Sequence, residues 1–168
     1  MKDRIKFSDE MLAAVIDGRK TQTRRPVDDN TLYYFDVAVQ VGECHPLGAN
    51  EEIPFDAYHL DWCPYGKKGD IIPFADKDGN IKGEIEIVDV WLQQVKDISE
   101  EDAIAEGVVT GRYGNEGNWL RGFYAPGGNQ PHQNAKSAYS EMWRSIYGAE
   151  AWHKNPWVWV IEFKRVKG

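Results

Sequence analysis

The apolar positions of this chain change their period several times, and each change marks an element. Residues 5–7 form a short strand-like start. Ser8 then precedes DEMLAAVID, in which Met11, Leu12, Val15 and Ile16 recur at the spacing of one helix face, and Gly18 follows as a natural stop. A second, short helix is predicted from a Ser99 cap, with Asp102 three residues on, through Glu106 to Gly107. A third is carried by KSAYSEMWRSIYG, where Tyr139, Met142, Trp143, Ile146 and Tyr147 make one apolar stripe that should pack on a sheet.

Other runs have the two-residue period of strands. WVWVIEFKRV places Trp157, Trp159, Ile161 and Phe163 on one face, with Glu162 and Lys164 on the other. GDIIPFA and IKGEIEIVDVW flank Asp78-Gly79, a dipeptide that favours a tight hairpin, and Pro73 makes the first of them an edge or bulged strand. LYYFDVAVQV reads as a further strand. Residues 42–66 and 110–136 are rich in Gly, Pro, Asn and polar groups and read as long loops, of a length that usually forms lids or disordered segments. Strands and helices interleave irregularly, without the repeated rhythm of a parallel sheet. That pattern predicts an α+β class, either an open domain or a small curved β-barrel flanked by helices.

A length of 168 residues with 42% hydrophobic content predicts one domain, 1–168, with a core of its own. Seven Trp, eight Tyr and six Phe exceed what a minimal core needs, so while most should be structural, some are free to line a pocket. A net charge of −7 argues against a protein that coats long duplex nucleic acid, whose affinity comes from neutralising phosphates. No apolar run of signal-peptide or membrane-spanning length is present, which predicts a cytoplasmic protein without a membrane partner. Cys44, Cys63, His45 and His59 lack zinc-site spacing, so neither metal nor cofactor is expected.

The densest chemistry lies at residues 17–25, DGRKTQTRR, where four cations and two hydroxyls follow immediately on the end of a helix. Such a run is ordinarily a solvated face. It also matches the G-x-K-x-x-x-x-R signature through Gly18, Lys20 and Arg25, and in this the chain resembles the ASCH domains of the PUA-like superfamily. The resemblance extends to SEEDAIAEGV and AYSEMWRSIYG. It is nearest to the small bacterial acetylcytidine amidohydrolases and to prophage-encoded ASCH-like proteins, beside which residues 27–66 and 110–136 look like insertions.

The resemblance implies a PUA-like curved barrel. It also implies a site in which Lys20, Thr23 and Glu106 are catalytic, Arg25 is the motif arginine, and Arg24 and Arg25 bind the substrate. The implied reaction is hydrolysis of a modified nucleoside, most concretely the amide of acetylated cytidine; the alternatives are an RNA-binding module for single strands or an ASCH-type ribonuclease. Amide cleavage needs a nucleophile, a proton acceptor and a group that organises the transition state. The Thr23 hydroxyl fits the first role, and Lys20 fits the second if burial and its cationic neighbours depress its pKa. Glu106 opposes that shift if it pairs with Lys20. One geometric demand is explicit: in a regular strand Lys20 and Thr23 would leave opposite faces, so a turn or bulge must intervene.

Overall fold

The computed structural model describes residues 5–43, 57–113 and 120–167. Among these residues, seven strands and six α-helices follow one another as β1 (Ile5–Lys6), α1 (Asp9–Ile16), β2 (Gln22–Pro26), α2 (Asp29–Gln40), α3 (Ala57–Leu60), β3 (Ile71–Ala75), β4 (Ile81–Gln94), α4 (Glu100–Ala105), β5 (Val109–Tyr113), β6 (Leu120–Tyr124), α5 (Ala135–Tyr147), α6 (Ala149–His153) and β7 (Trp157–Lys167). Five strands form the main sheet in the order β1-β3-β4-β7-β2, antiparallel except for β1 beside β3, and β5 and β6 form a separate pair.

Strand length forces the sheet to curl. Fourteen residues in β4 would extend about 45 Å if straight, longer than a domain of this size is wide. Two register shifts against β7, at Glu84/Ile85 and Ile87/Asp89, bend β4. The result is a half-barrel with flanking helices, the α+β arrangement read from the sequence pattern. Its core joins Ile85, Ile87 and Leu92 of β4 with Trp159, Ile161 and Phe163 of β7 and Tyr139, Met142 and Trp143 of α5. Val158 and Val160 are buried as well, so β7 is covered on both faces as far as Ile161.

Pro73 sits where its missing N–H does no harm. β1 pairs only with Phe74 and Ala75, so the first part of β3 has β4 alone beside it, and a register shift follows at Phe74/Ala75.

Three segments differ from expectation, the shortest being α3, a single helical turn within 42–66, where a loop is expected. LYYFDVAVQV is helical in α2: Asp28 caps it by accepting from the Thr31 N–H at 2.7 Å, and Phe35 and Ala38, three residues apart, are its buried positions. Tyr33, Tyr34, Val37 and Val41 are exposed, and these outward apolar residues hide the helical period. Within 110–136, read as loop, β5 and β6 pair from Val109–Tyr124 to Tyr113–Leu120. Of the residues weighed for zinc, Cys44 and His45 lie outside the described residues, while His59 packs edge-on to Phe35 with ring centroids 4.7 Å apart. No helix among the described residues is long and apolar enough to cross a membrane.

Candidate functional site

The turn after α1 is fastened on both sides. Gly18 takes a positive φ of 85°, the Lys20 N–H donates to the Ala14 carbonyl at 3.0 Å, and the Thr21 N–H donates to the Ala105 carbonyl at 2.8 Å. The last bond ties the turn to the end of α4 and so brings Lys20 beside Glu106. Gly107 suits the turn that follows through its backbone: its φ is 114°, a conformation that residues with a side chain rarely adopt. Lys20 precedes β2, so the alternation of a regular strand does not govern the relation between Lys20 and Thr23.

Lys20 is 2% exposed, and so is Glu106. The Lys20 ammonium donates to the Gln22 carbonyl at 2.8 Å, the Glu106 carbonyl at 2.8 Å and Glu106 Oε1 at 2.7 Å, which engages all three of its hydrogens. Arg24 holds the other carboxylate oxygen. Its Nη1 donates to Glu106 Oε2 at 3.0 Å and Gln22 Oε1 at 2.9 Å, its Nη2 to Asp102 Oδ2 at 3.3 Å and Gln93 Oε1 at 3.1 Å, and its Nε to Gln93 Oε1 at 3.2 Å. Every one of the five guanidinium N–H groups has an acceptor. Arg24 therefore orients Glu106 and has no donor left for a ligand.

Arg25 differs. Its Nε donates to Thr23 Oγ1 at 3.0 Å and its Nη2 to the Lys6 carbonyl at 2.7 Å, while its guanidinium carbon lies 5.3 Å from the centre of the Phe7 ring. Three of its N–H groups remain unspent. Side chains of Gln22 and Arg24 meet on one face of β2, and those of Thr23 and Arg25 on the other.

A cavity of about 200 Å³ collects both faces at this sheet edge. Lys20, Thr23, Arg24, Arg25 and Glu106 all line it, and α5 closes it with Tyr139, Met142, Trp143 and Tyr147. Trp143 lies 4.3 Å from the Tyr147 ring and 6.4 Å from the Tyr139 ring, measured between centroids. Burial pushes the Lys20 ammonium below its ordinary pKa; the Glu106 carboxylate pulls it back up, and Arg25 and Arg24 add smaller downward pushes. Burial likewise holds the Tyr139 phenol well above its usual value, and the Glu106 charge reinforces that.

Several participants were not visible in the sequence. Gln22 and Gln93 carry no motif, and Asp102 reads as a helix-cap residue, yet all three complete the shell of Arg24. Tyr139 reads as core. Its position on the stripe of α5 beside Trp143 was the available signal, but nothing in the stripe says which of its members faces a cavity.

The fold and the site thus define an α+β half-barrel whose edge strand carries a closed-in basic and aromatic cavity. Neither a family model nor a curated protein matches the chain. Among solved structures the chain is similar to a protein of Enterococcus faecalis V583, with 16% identity, 98% of this chain and 77% of that chain covered and a TM-score of 0.48. It is also similar to an ASCH domain from Lactobacillus crispatus JV V101, with 16% identity, 99% and 82% covered and a TM-score of 0.48. A hypothetical protein matches with 17% identity over 99% of this chain and 100% of that one, at a TM-score of 0.49. Its structural neighbours therefore include an ASCH domain, the family that residues 17–25 resemble.

Proposed function

We propose that the cavity holds a modified nucleoside and that the chain hydrolyses an amide on it, most concretely releasing acetate from acetylated cytidine. One observation carries this reading: a single cavity gathers Lys20, Thr23, Arg25 and Glu106 against the rings of Tyr139, Trp143 and Tyr147. At about 200 Å³ it is smaller than the roughly 300–1,000 Å³ typical of drug-sized ligands, which suits a base-sized group. Aromatic walls stack such a group, and cations meet its carbonyl oxygens.

Thr23 is the nucleophile in this reading. The Arg25 Nε–H at 3.0 Å stabilises negative charge developing on its oxygen, and the hydroxyl proton has no acceptor among the described residues. Lys20 becomes a base only after Glu106 Oε1 takes one of its protons across the 2.7 Å contact, a transfer that burial of the ammonium makes less costly. The amine then turns to accept the Thr23 proton. Thr23 Oγ1 bonds to the acyl carbon, the C–N bond breaks, the cytidine amino group leaves with the proton held by the Lys20–Glu106 pair, and water hydrolyses the acyl ester. Arg24 acts as a positioning residue through Glu106.

The test is chromatographic detection of free cytidine and acetate from purified protein and acetylated cytidine. Turnover is expected for the unaltered chain, in part for Thr23→Ser, and not for Thr23→Ala. No turnover by the unaltered chain would refute the reading. Lys6 and Arg25, at the more exposed part of the lining, favour a second reading in which the cavity takes one splayed base of single-stranded RNA and these cations meet its phosphates. That reading predicts binding without turnover, with an affinity that falls steeply as salt rises.

A further inference from the structure

Most polar groups of the cavity are already spent. Lys20 has three acceptors for three hydrogens, Arg24 five for five, and both Glu106 carboxylate oxygens accept from a cation. The groups with capacity left include three N–H of Arg25, the Thr23 hydroxyl, the buried Trp143 indole N–H, and the hydroxyls of Tyr139 and Tyr147, for which no hydrogen bond exists among the described residues. Tyr147 stands at the rim, 39% exposed, where water can serve it. Tyr139 lines the cavity and is 1% exposed as a residue, and its hydroxyl is not among the fully buried groups that lack a partner, so a ligand in the cavity can serve it.

We propose that the Tyr139 hydroxyl and an unspent Arg25 N–H converge on the acyl carbonyl oxygen of the ligand, which makes Tyr139 a catalytic donor and selects N-acylated nucleosides over their free amines. The proposal rests on the amide-hydrolysis reading and adds to it the group that receives charge. When Thr23 Oγ1 bonds to the acyl carbon, the carbonyl π pair moves onto oxygen and creates an oxyanion. The phenol O–H and the guanidinium N–H each donate a hydrogen bond to it, and no proton is transferred. The pair returns as the C–N bond breaks. Tyr139 suits this because its hydroxyl lies within electrostatic reach of Glu106, Arg24 and Arg25, all of which line the cavity. The same burial keeps it protonated well above neutral pH, so it remains a neutral donor and places no charge beside the developing anion.

Tyr139→Phe removes one oxygen and keeps the ring against Trp143 and Trp152. The expected result is a fall in kcat of roughly 100- to 1,000-fold with KM raised only several-fold, the signature of a donor that holds the ground-state carbonyl weakly and the transition-state oxyanion strongly. Calorimetric binding of acetylated cytidine and of cytidine to Thr23→Ala and to Thr23→Ala/Tyr139→Phe supplies a second readout that needs no turnover. Loss of the hydroxyl should weaken the acetylated ligand by several-fold and leave cytidine unmoved. Turnover by the unaltered chain with kcat retained in Tyr139→Phe overturns the role of Tyr139 and leaves amide hydrolysis standing. Absence of turnover together with selective weakening of the acetylated ligand removes hydrolysis and leaves Tyr139 as the acyl-oxygen donor. Equal weakening of both ligands, or binding of neither, overturns the proposal outright.

Discussion

Replacing Glu106 by glutamine keeps the shape of the side chain and removes one charge from a group that is 2% exposed. Two cations depend on that charge: the Lys20 ammonium at 2.7 Å and the Arg24 guanidinium at 3.0 Å. Asp102 supplies the only other carboxylate on this network among the described residues, and of the two cations it touches only Arg24, at 3.3 Å. Breaking a buried ion pair by removing one partner costs about 3–5 kcal/mol, because the remaining charge stays buried without compensation. Glu106→Gln should therefore lose about 3–5 kcal/mol in urea unfolding, with an unchanged m value. For a chain of this length that is a fall in Tm of roughly 6–20 °C, at 2–4 °C per kcal/mol. Adding Lys20→Met to Glu106→Gln removes the stranded ammonium, so the double variant should be more stable than the sum of the single losses implies, by about 1 kcal/mol or more. A loss below about 1 kcal/mol for Glu106→Gln would refute the reasoning, since it would mean that water reaches the network and screens it as it does a surface pair.

Two further outcomes follow from burial. Ile161→Ala should cost about 2–5 kcal/mol by the same unfolding measurement, because Ile161 is fully buried in β7 between β2 and β4; a loss below 1 kcal/mol would place the strand outside the core. Alkaline titration should separate Tyr139 from Lys20. A phenol raised in the folded state contributes stability that is complete below its unfolded value of about 10 and is lost as pH rises from there toward the folded value, whereas a lysine depressed in the folded state makes stability rise with pH up to about 10.4. Above that point the phenol term dominates, so the urea midpoint of the unaltered chain should fall with pH more steeply than that of Tyr139→Phe.

What was legible in the sequence tracks what is local. Ser99 and Asp102 mark the cap of α4 because the bond between them spans three residues, and the stripe of α5 and the alternation of β7 are likewise read within a dozen positions. The basic turn could be located but not interpreted. A run of cations ordinarily faces water, and a substitution on such a turn should be mild; here Lys20 and Arg24 are buried because acceptors arrive from Gln93, Asp102 and Glu106, 69 to 86 residues away. No local rule links those positions. In α2 the misleading cue was chemical: β-branched and aromatic residues at solvent-facing positions imitate a strand, and only the Asp28 cap, two residues after Pro26, points to a helix.

β2 is an edge strand, so β7 alone fixes its frame, and two adjacent arginines occupy consecutive steps of that frame. Slippage by one residue would not be felt equally by all who depend on it. If Thr21 were deleted, net charge would not change, and Arg25 would arrive where Arg24 now meets Glu106, so the architecture retains a substitute. The hydroxyl of Thr23 has none: it would turn to the opposite face, and an arginine would stand in its place. The doubled arginine thus keeps one partner for Glu106 through a frame error that silences the chemistry, while the arginine now in the place of Thr23, a position only 3% exposed, is a buried cation, so a chain altered in this way loses stability together with its nucleophile.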